Sequence, residues 1–434
     1  MKRIKMLVPL LLILLTVFSS YSLISGAAQK NSEFKQHIQK AHELSEQGII
    51  VDAAKEYDDA LEMKPSIDLY LEKGEMFKKN DMNGNAISLG ELVLEKYPKE
   101  SRSYDFLLEC YLKNKDYEEC YDLLDNAKKR NLSSDIINAA IKELRYKYEL
   151  DYKGYDDVSV FGGGYCAVKK GELWGYVNES GKLSINYVFE SAGVFSEGLA
   201  AVRDTEKNMY YIDTQGNRKK NINSSVKPDE AGSFSGELVA IKTGSDYAYY
   251  DDNFEKKSAN YSFAGTYSEG IAAVSENGNW YLINEKGKKM NSQPYESVAM
   301  NENRVAFSGG VAFVEENGKY IMVDSKAERV GSQSFDEAKP FENGEMAAVR
   351  IGEKWGFADK DGNVIIEAKY DEARSFSNGL AAVREGETWG YINEENETAI
   401  EFAFTDCKDF NNHGCSFAKD GEEWVLIKLL EKNH

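Results

Sequence analysis

Proline is nearly missing from this chain, with 6 in 434 residues, alongside only 4 histidines and 5 cysteines. So little proline excludes a proline-rich linker or polyproline segment. The cysteines, Cys110, Cys120, Cys166, Cys407 and Cys415, are too few and too scattered for a disulfide framework. Buried thiols acting as small apolar side chains are expected instead, with Cys407 and Cys415 as the pair an oxidising compartment would join. His37, His42, His413 and His434 show no metal-ligand spacing, so no metal site is expected. Basic charge is also in deficit: 53 Lys and Arg stand against 73 Asp and Glu, a formal charge of −20. Phosphate recognition needs a cationic surface, so no nucleic acid is expected as a partner.

Catalytic patterns are missing as well. There is no G-x-S-x-G, no Ser, His and acid constellation, and no phosphate-cradling glycine loop opening a helix. Gly162 to Gly164 is a degenerate form of the turn that recurs as Ser377 to Gly379. Asp359 to Asn363 clusters oxygens but lacks the length and distal Glu of a helix–loop–helix calcium site. Accidental carboxylate pairs are unavoidable in so acidic a chain, and nothing singles out two of them. No catalytic residue and no cofactor is expected, and the chain is not read as an enzyme.

At the N-terminus, Lys2, Arg3 and Lys5 precede an apolar run from Met6 to Phe18, followed by the small residues Ser25, Gly26, Ala27 and Ala28. That is the pattern of a signal peptide over residues 1–29, or of a membrane anchor if it stays uncleaved. Either outcome places the bulk of the chain outside the cytoplasm, secreted or anchored, and the membrane is met through this segment alone.

From residue 33 to 150 the apolar period is helical and repeats. Ala41, Leu44, Ala53, Tyr57, Ala60 and Pro65 recur as Gly74, Phe77, Ala86, Gly90, Val93 and Pro98, then as Leu108, Tyr111, Cys120, Leu124 and Ala127. Small residues let helix axes approach, and proline ends a unit because it cannot continue a helix. The pattern resembles the tetratricopeptide repeat: three units, plus a capping helix begun by Ser134 and expected to run through Leu150. The third unit departs from it by placing Leu108 and Cys120 in small-residue slots. By slot, the resemblance implies a peptide-binding groove lined by Lys35, His42, Asp68, Glu75, Lys78, Arg102, Asp105 and Glu109; the alternative is solvated helix faces on a spacer.

Residues 152–430 carry a different repeat. An aromatic anchor returns at Phe161, Phe195, Phe234, Tyr267, Phe307, Phe341, Phe376 and Phe410, at spacings between 33 and 40. Thirteen or fourteen residues past each anchor stand Trp174, Met209, Tyr247, Trp280, Tyr320, Trp355, Trp389 and Trp424, so all five tryptophans share one slot. Glycine follows three of them (Gly175, Gly356, Gly390), and Asn or Asp opens a turn four residues on in seven copies. Segments such as Trp355 to Gly362 and Phe376 to Val383 resemble the WG-repeat family, whose members are bacterial and often joined to other modules. Eight repeats of about four short strands suggest an all-β domain built like a β-propeller, with an open β-solenoid as the alternative. The tryptophans are expected as packing between sheets; exposed, they would stack on sugars, as the half-repeat likeness of Asn277 to Met290 to choline-binding, cell-wall-binding hairpins suggests. The expected partner is a protein or peptide, with cell-wall glycan as the alternative.

Overall fold

The computed structural model describes residues 29–222 and 226–430. The expected signal or anchor segment falls almost wholly outside the described residues. Among those residues no helix is long and apolar enough to cross a membrane. The chain divides into two compact units, up to Arg145 and from Tyr146 onward.

The first unit is an α-helical solenoid of the tetratricopeptide type. Helix α1 covers residues 29–46; α2 (Ile50–Met63), α3 (Ile67–Lys79), α4 (Asn83–Lys96), α5 (Ser101–Asn114), α6 (Tyr117–Lys129) and α7 (Asp135–Leu144) follow. The small residues of the repeat are buried where helices meet: Ala41, Ala53, Ala60 and Ala86 are all 0% exposed. Glycine is required at Gly74, where an added Cβ would lie 2.3 Å from the Phe106 ring. Ser134 caps α7, its hydroxyl accepting from the Ile137 amide at 3.0 Å. The helix expected through Leu150 stops at Leu144, and Tyr148–Tyr155 is a β-strand of the second unit. Tyr148 and Leu150 pack into that unit's core, and strand pairing there outweighs extension of a short helix.

The second unit is a ring of eight small antiparallel sheets, or blades. Blade 1 runs from Asp157–Val158 to Leu183–Ala192, whose last residues also open blade 2. Blades 5, 6 and 7 are regular four-stranded meanders, and blades 3 and 4 have three strands with isolated bridges in place of the outer one. Blade 8 joins Asp406–Cys407, Cys415–Asp420 and Glu423–Leu429 to Tyr148–Tyr155, the first strand of the unit. An open stack of eight sheets has seven interfaces, and here there are eight apolar clusters, one at each interface. The eighth joins Phe417, Trp424 and Leu426 of blade 8 to Cys166, Val168 and Val177 of blade 1. That closes the ring and covers its edges, as in a propeller rather than a solenoid.

Alternation along each strand explains the small, apolar composition. Ala381 faces blade 6 while Leu380 and Ala382 face blade 8, so both faces of the sheet are covered and neither tolerates bulk. The Asn and Asp turns form as expected: the Asp359 side chain accepts from the amides of Asp361 and Asn363 at 3.0 and 2.8 Å. That same turn accounts for the calcium-like cluster at Asp359 to Asn363. All five cysteines are free and buried. Cys407 pairs with Ala418 and Cys415 with Lys428, and the two thiols lie in different clusters.

Candidate functional site

Each anchor meets the residue two positions beyond the tryptophan slot of the preceding blade. Ring centroids lie 4.8 Å apart for Tyr176 and Phe195, 4.8 Å for Tyr211 and Phe234, 4.7 Å for Tyr249 and Tyr267, and 4.8 Å for Tyr391 and Phe410. Each of these four tyrosines also donates its hydroxyl to a carbonyl two residues before that anchor: Gly193, Gly232, Gly265 and Lys408, at 2.7–2.8 Å. Four blade interfaces are thus stitched by one repeated device. Its signal in the sequence is the aromatic that recurs two positions past the tryptophan slot, as Tyr176, Tyr211, Tyr249, Phe357 and Tyr391.

The tryptophans are mostly interior. Trp355, Trp389 and Trp424 are buried, and Trp174 and Trp280 half-buried. Glycine follows Trp because the outer strand bulges across it. Trp355 pairs with Tyr370 and Phe357 with Ile366, so two steps on one strand face four on the other. A Cβ on Gly356 would lie 2.4 Å from the Ile366 carbonyl oxygen.

At the centre of the ring lies a cavity of about 540 Å³ lined from blades 1, 5, 6, 7 and 8. One segment, residues 299–305 of blade 5, organises it. Its Asn301 side chain accepts from the amides of Asn303 and Val305, an inserted copy of the turn used elsewhere. From this turn Arg304 reaches Glu230 of blade 3 at 2.6 Å, and the Asn303 carbonyl accepts from Thr266 of blade 4 at 2.7 Å. Asn301 donates to Glu342 of blade 6 at 3.3 Å. Glu302 takes Lys408 of blade 8 at 2.7 and 2.8 Å and Arg374 of blade 7 at 3.2 Å. The sequence signal was the spacing of 40 between Tyr267 and Phe307.

Facing this turn, Lys339, Arg374 and Lys408 occupy one register position, two residues before the anchor, in three consecutive blades. Each lies over the tryptophan of its own blade: 4.8 Å from the Trp355 ring centre, 5.9 Å from Trp389 and 5.5 Å from Trp424. Burial alone would raise the Glu302 carboxyl, but the charges and hydrogen bonds of Lys408 and Arg374 hold it below the usual range. Burial pushes Lys339 down, with the Arg374 charge adding to it. Glu342 and Asp409 are pushed up, chiefly by burial; the Asp409 charge adds to the shift of Glu342, and the Arg374 charge opposes that of Asp409. Arg374 Nε and Asp409 Oδ1 are buried with no hydrogen-bond partner.

Most of the residues expected to line a groove in the helical unit are tied to neighbours within that unit. Asp68 and Arg102 join α3 to α5 at 2.6 Å, and Lys78 bridges Glu75 at 2.9 Å and Glu109 at 2.5 Å. His42 contacts Glu72 of α3, and Asp105 of α5 accepts from the Ser134 hydroxyl before α7. Lys35 is exposed on α1. The fold also brings His37 within 2.6 Å of Glu56 and 3.9 Å of Asp59, a proximity invisible in sequence spacing. Lys40 already neutralises Glu56 at 2.5 Å, which makes this set a bridge between α1 and α2.

The model of the WG containing repeat matches residues 153–174, 174–207, 247–280, 334–355, 355–389 and 389–424. No curated protein matches the chain. Among solved structures, BamB from Moraxella catarrhalis is 10% identical with a TM-score of 0.43, over 65% of this chain and 98% of that one. Hsv2 from Kluyveromyces lactis is 10% identical, TM-score 0.38, over 64% and 99%. The Sgt2 tetratricopeptide domain from Aspergillus fumigatus is 16% identical, TM-score 0.22, over 26% and 76%. At such scores the fold rests on the chain's own strand order and closure.

Proposed function

With the β unit established as a WG-repeat domain, we propose that the chain is a non-catalytic scaffold outside the cytoplasm, holding a protein or peptide on its helical repeats. The observation that carries this is the face shared by α1, α3 and α5. Its charged side chains are partly exposed (Asp68 78%, Arg102 49%, Glu109 41%), and the Asp68–Arg102 and Lys78–Glu109 pairs are made within the face itself. Exposed ion pairs contribute about 0–1 kcal/mol each, so a partner's charges can replace them at little cost. The glycan reading has less support, because three of the five tryptophans that would stack on sugars are buried.

A photo-crosslinking residue at Arg102, compared with one at exposed Val51 on α2, tests the reading in the native host. Adducts to one defined protein from position 102, and few from position 51, are expected; equal yields from both would count against it. Cell fractionation with protease added outside intact cells tests location, and protection from the protease would remove the extracytoplasmic part.

A further inference from the structure

We propose that Lys339, Arg374 and Lys408 form a carboxylate-binding site at the centre of the ring, occupied in this structure by the chain's own Glu302, which an external dicarboxylate displaces. The first argument is register. At this position the other blades carry Ser159, Gly193, Gly232, Gly265 and Val305. Blade geometry therefore does not require a cation there, yet three consecutive blades supply one. Each cation lies over a tryptophan, which limits its rotamers and points the three toward one space.

The second argument is unused capacity. Arg374 Nε is a buried donor without a partner, and Lys339 donates to the Ala373 carbonyl at 2.7 Å, with no carboxylate bonded to it. A buried guanidinium is satisfied best by a two-oxygen acceptor, and here Glu302 meets Arg374 through Nη1 alone. The remaining acids nearby do not fill the role. Asp406 stands 3.6 Å from Arg374, Glu342 is bonded to Asn301, and Asp409 Oδ1 has no hydrogen-bond partner. The third argument is the occupant itself. Glu302 arrives on the turn inserted into blade 5, remains 43% exposed, and borders a cavity with room for a small ligand.

This deepens the binding reading by giving the β unit a ligand class, and it stands or falls independently of crosslinking on the helical face. The test titrates succinate into the full chain at constant ionic strength, by calorimetry and thermal shift. Glu302→Gln empties the site and is expected to bind succinate at least tenfold more tightly than the unaltered chain. Adding Arg374→Gln or Lys408→Gln to it is expected to abolish the gain. No gain in Glu302→Gln, a gain that survives both additions, or a shift equal to that from sodium chloride overturns the proposal. Should Glu302→Gln fail to fold, Glu302→Asp retracts the carboxylate by one methylene; succinate affinity no greater than in the unaltered chain then overturns it. A C-terminally amidated, glutamate-rich peptide is the second arm. Competition between peptide and succinate identifies a partner's acidic side chain as the source, succinate alone a free small molecule, and binding of neither removes the site.

Discussion

A Cβ built on Gly390 would sit 2.8 Å from the Ile400 carbonyl oxygen and 3.0 Å from the Phe402 amide nitrogen. Those are backbone atoms of a bulged strand and cannot rotate aside. Gly390→Ala is therefore expected to destabilise the β unit by about 1–3 kcal/mol, checked by its thermal midpoint. Gly352, by contrast, has nothing within 4 Å of an added Cβ, but its φ of 66° favours glycine for a different reason. Side-chain ionisation at Glu342 has a sign of its own. Its folded pKa is raised above the ordinary 4.5, so its favourable contribution is full below that value and is lost as pH rises through the folded one. Glu342→Gln keeps an acceptor for Asn301 without the charge. The variant should melt at nearly the wild-type temperature at pH 4 and higher than wild type at pH 8; a difference that does not grow with pH would refute the assignment. The WG pair and the Asn or Asp turns were legible because each answers a local backbone demand. Glu342 was not, because its environment is assembled from blades 5, 6 and 8.

Among the elements, Tyr148–Tyr155 is the one on which closure depends. It pairs with Glu423–Leu429 through Leu150 opposite Ile427 and Tyr155 opposite Trp424. Glu149→Pro, at the position opposite Lys428, removes a ladder amide from that pairing and exposes an edge. A lower thermal midpoint with concentration-dependent association is expected, measured by light scattering during a melt. Loss of neither stability nor solubility would mean that the strand is dispensable. The expectation that the capping helix runs through Leu150 takes in the first three residues of this strand, and it has a plain cause. Three residues next to a capped amphipathic helix carry no signal that their partners, Leu429 to Ile427, lie at the far end of the unit. The inserted turn at residues 299–305 shows the opposite case, since the long spacing was visible but its reach across the ring was not.

The whole molecule is two compact units, each with its own core. Two thermal transitions are expected by scanning calorimetry, and only the one assigned to residues 146–430 should respond to Gly390→Ala; a single transition shifted as a whole would show that the units unfold together. Periodicity alone determined the division into helical and β-repeats and the number of repeats in each. It did so because side-chain spacing of 3.6 or 2 and the turn residues between strands are local consequences of backbone geometry. Three matters were decided only by tertiary structure. Closure depends on pairing between the two ends of the unit. The position beyond each tryptophan acquires its role from the neighbouring blade. The charged centre brings Glu302 against Lys408, more than a hundred residues away, and no local pattern encodes a distance set by eight blades turning through a full circle.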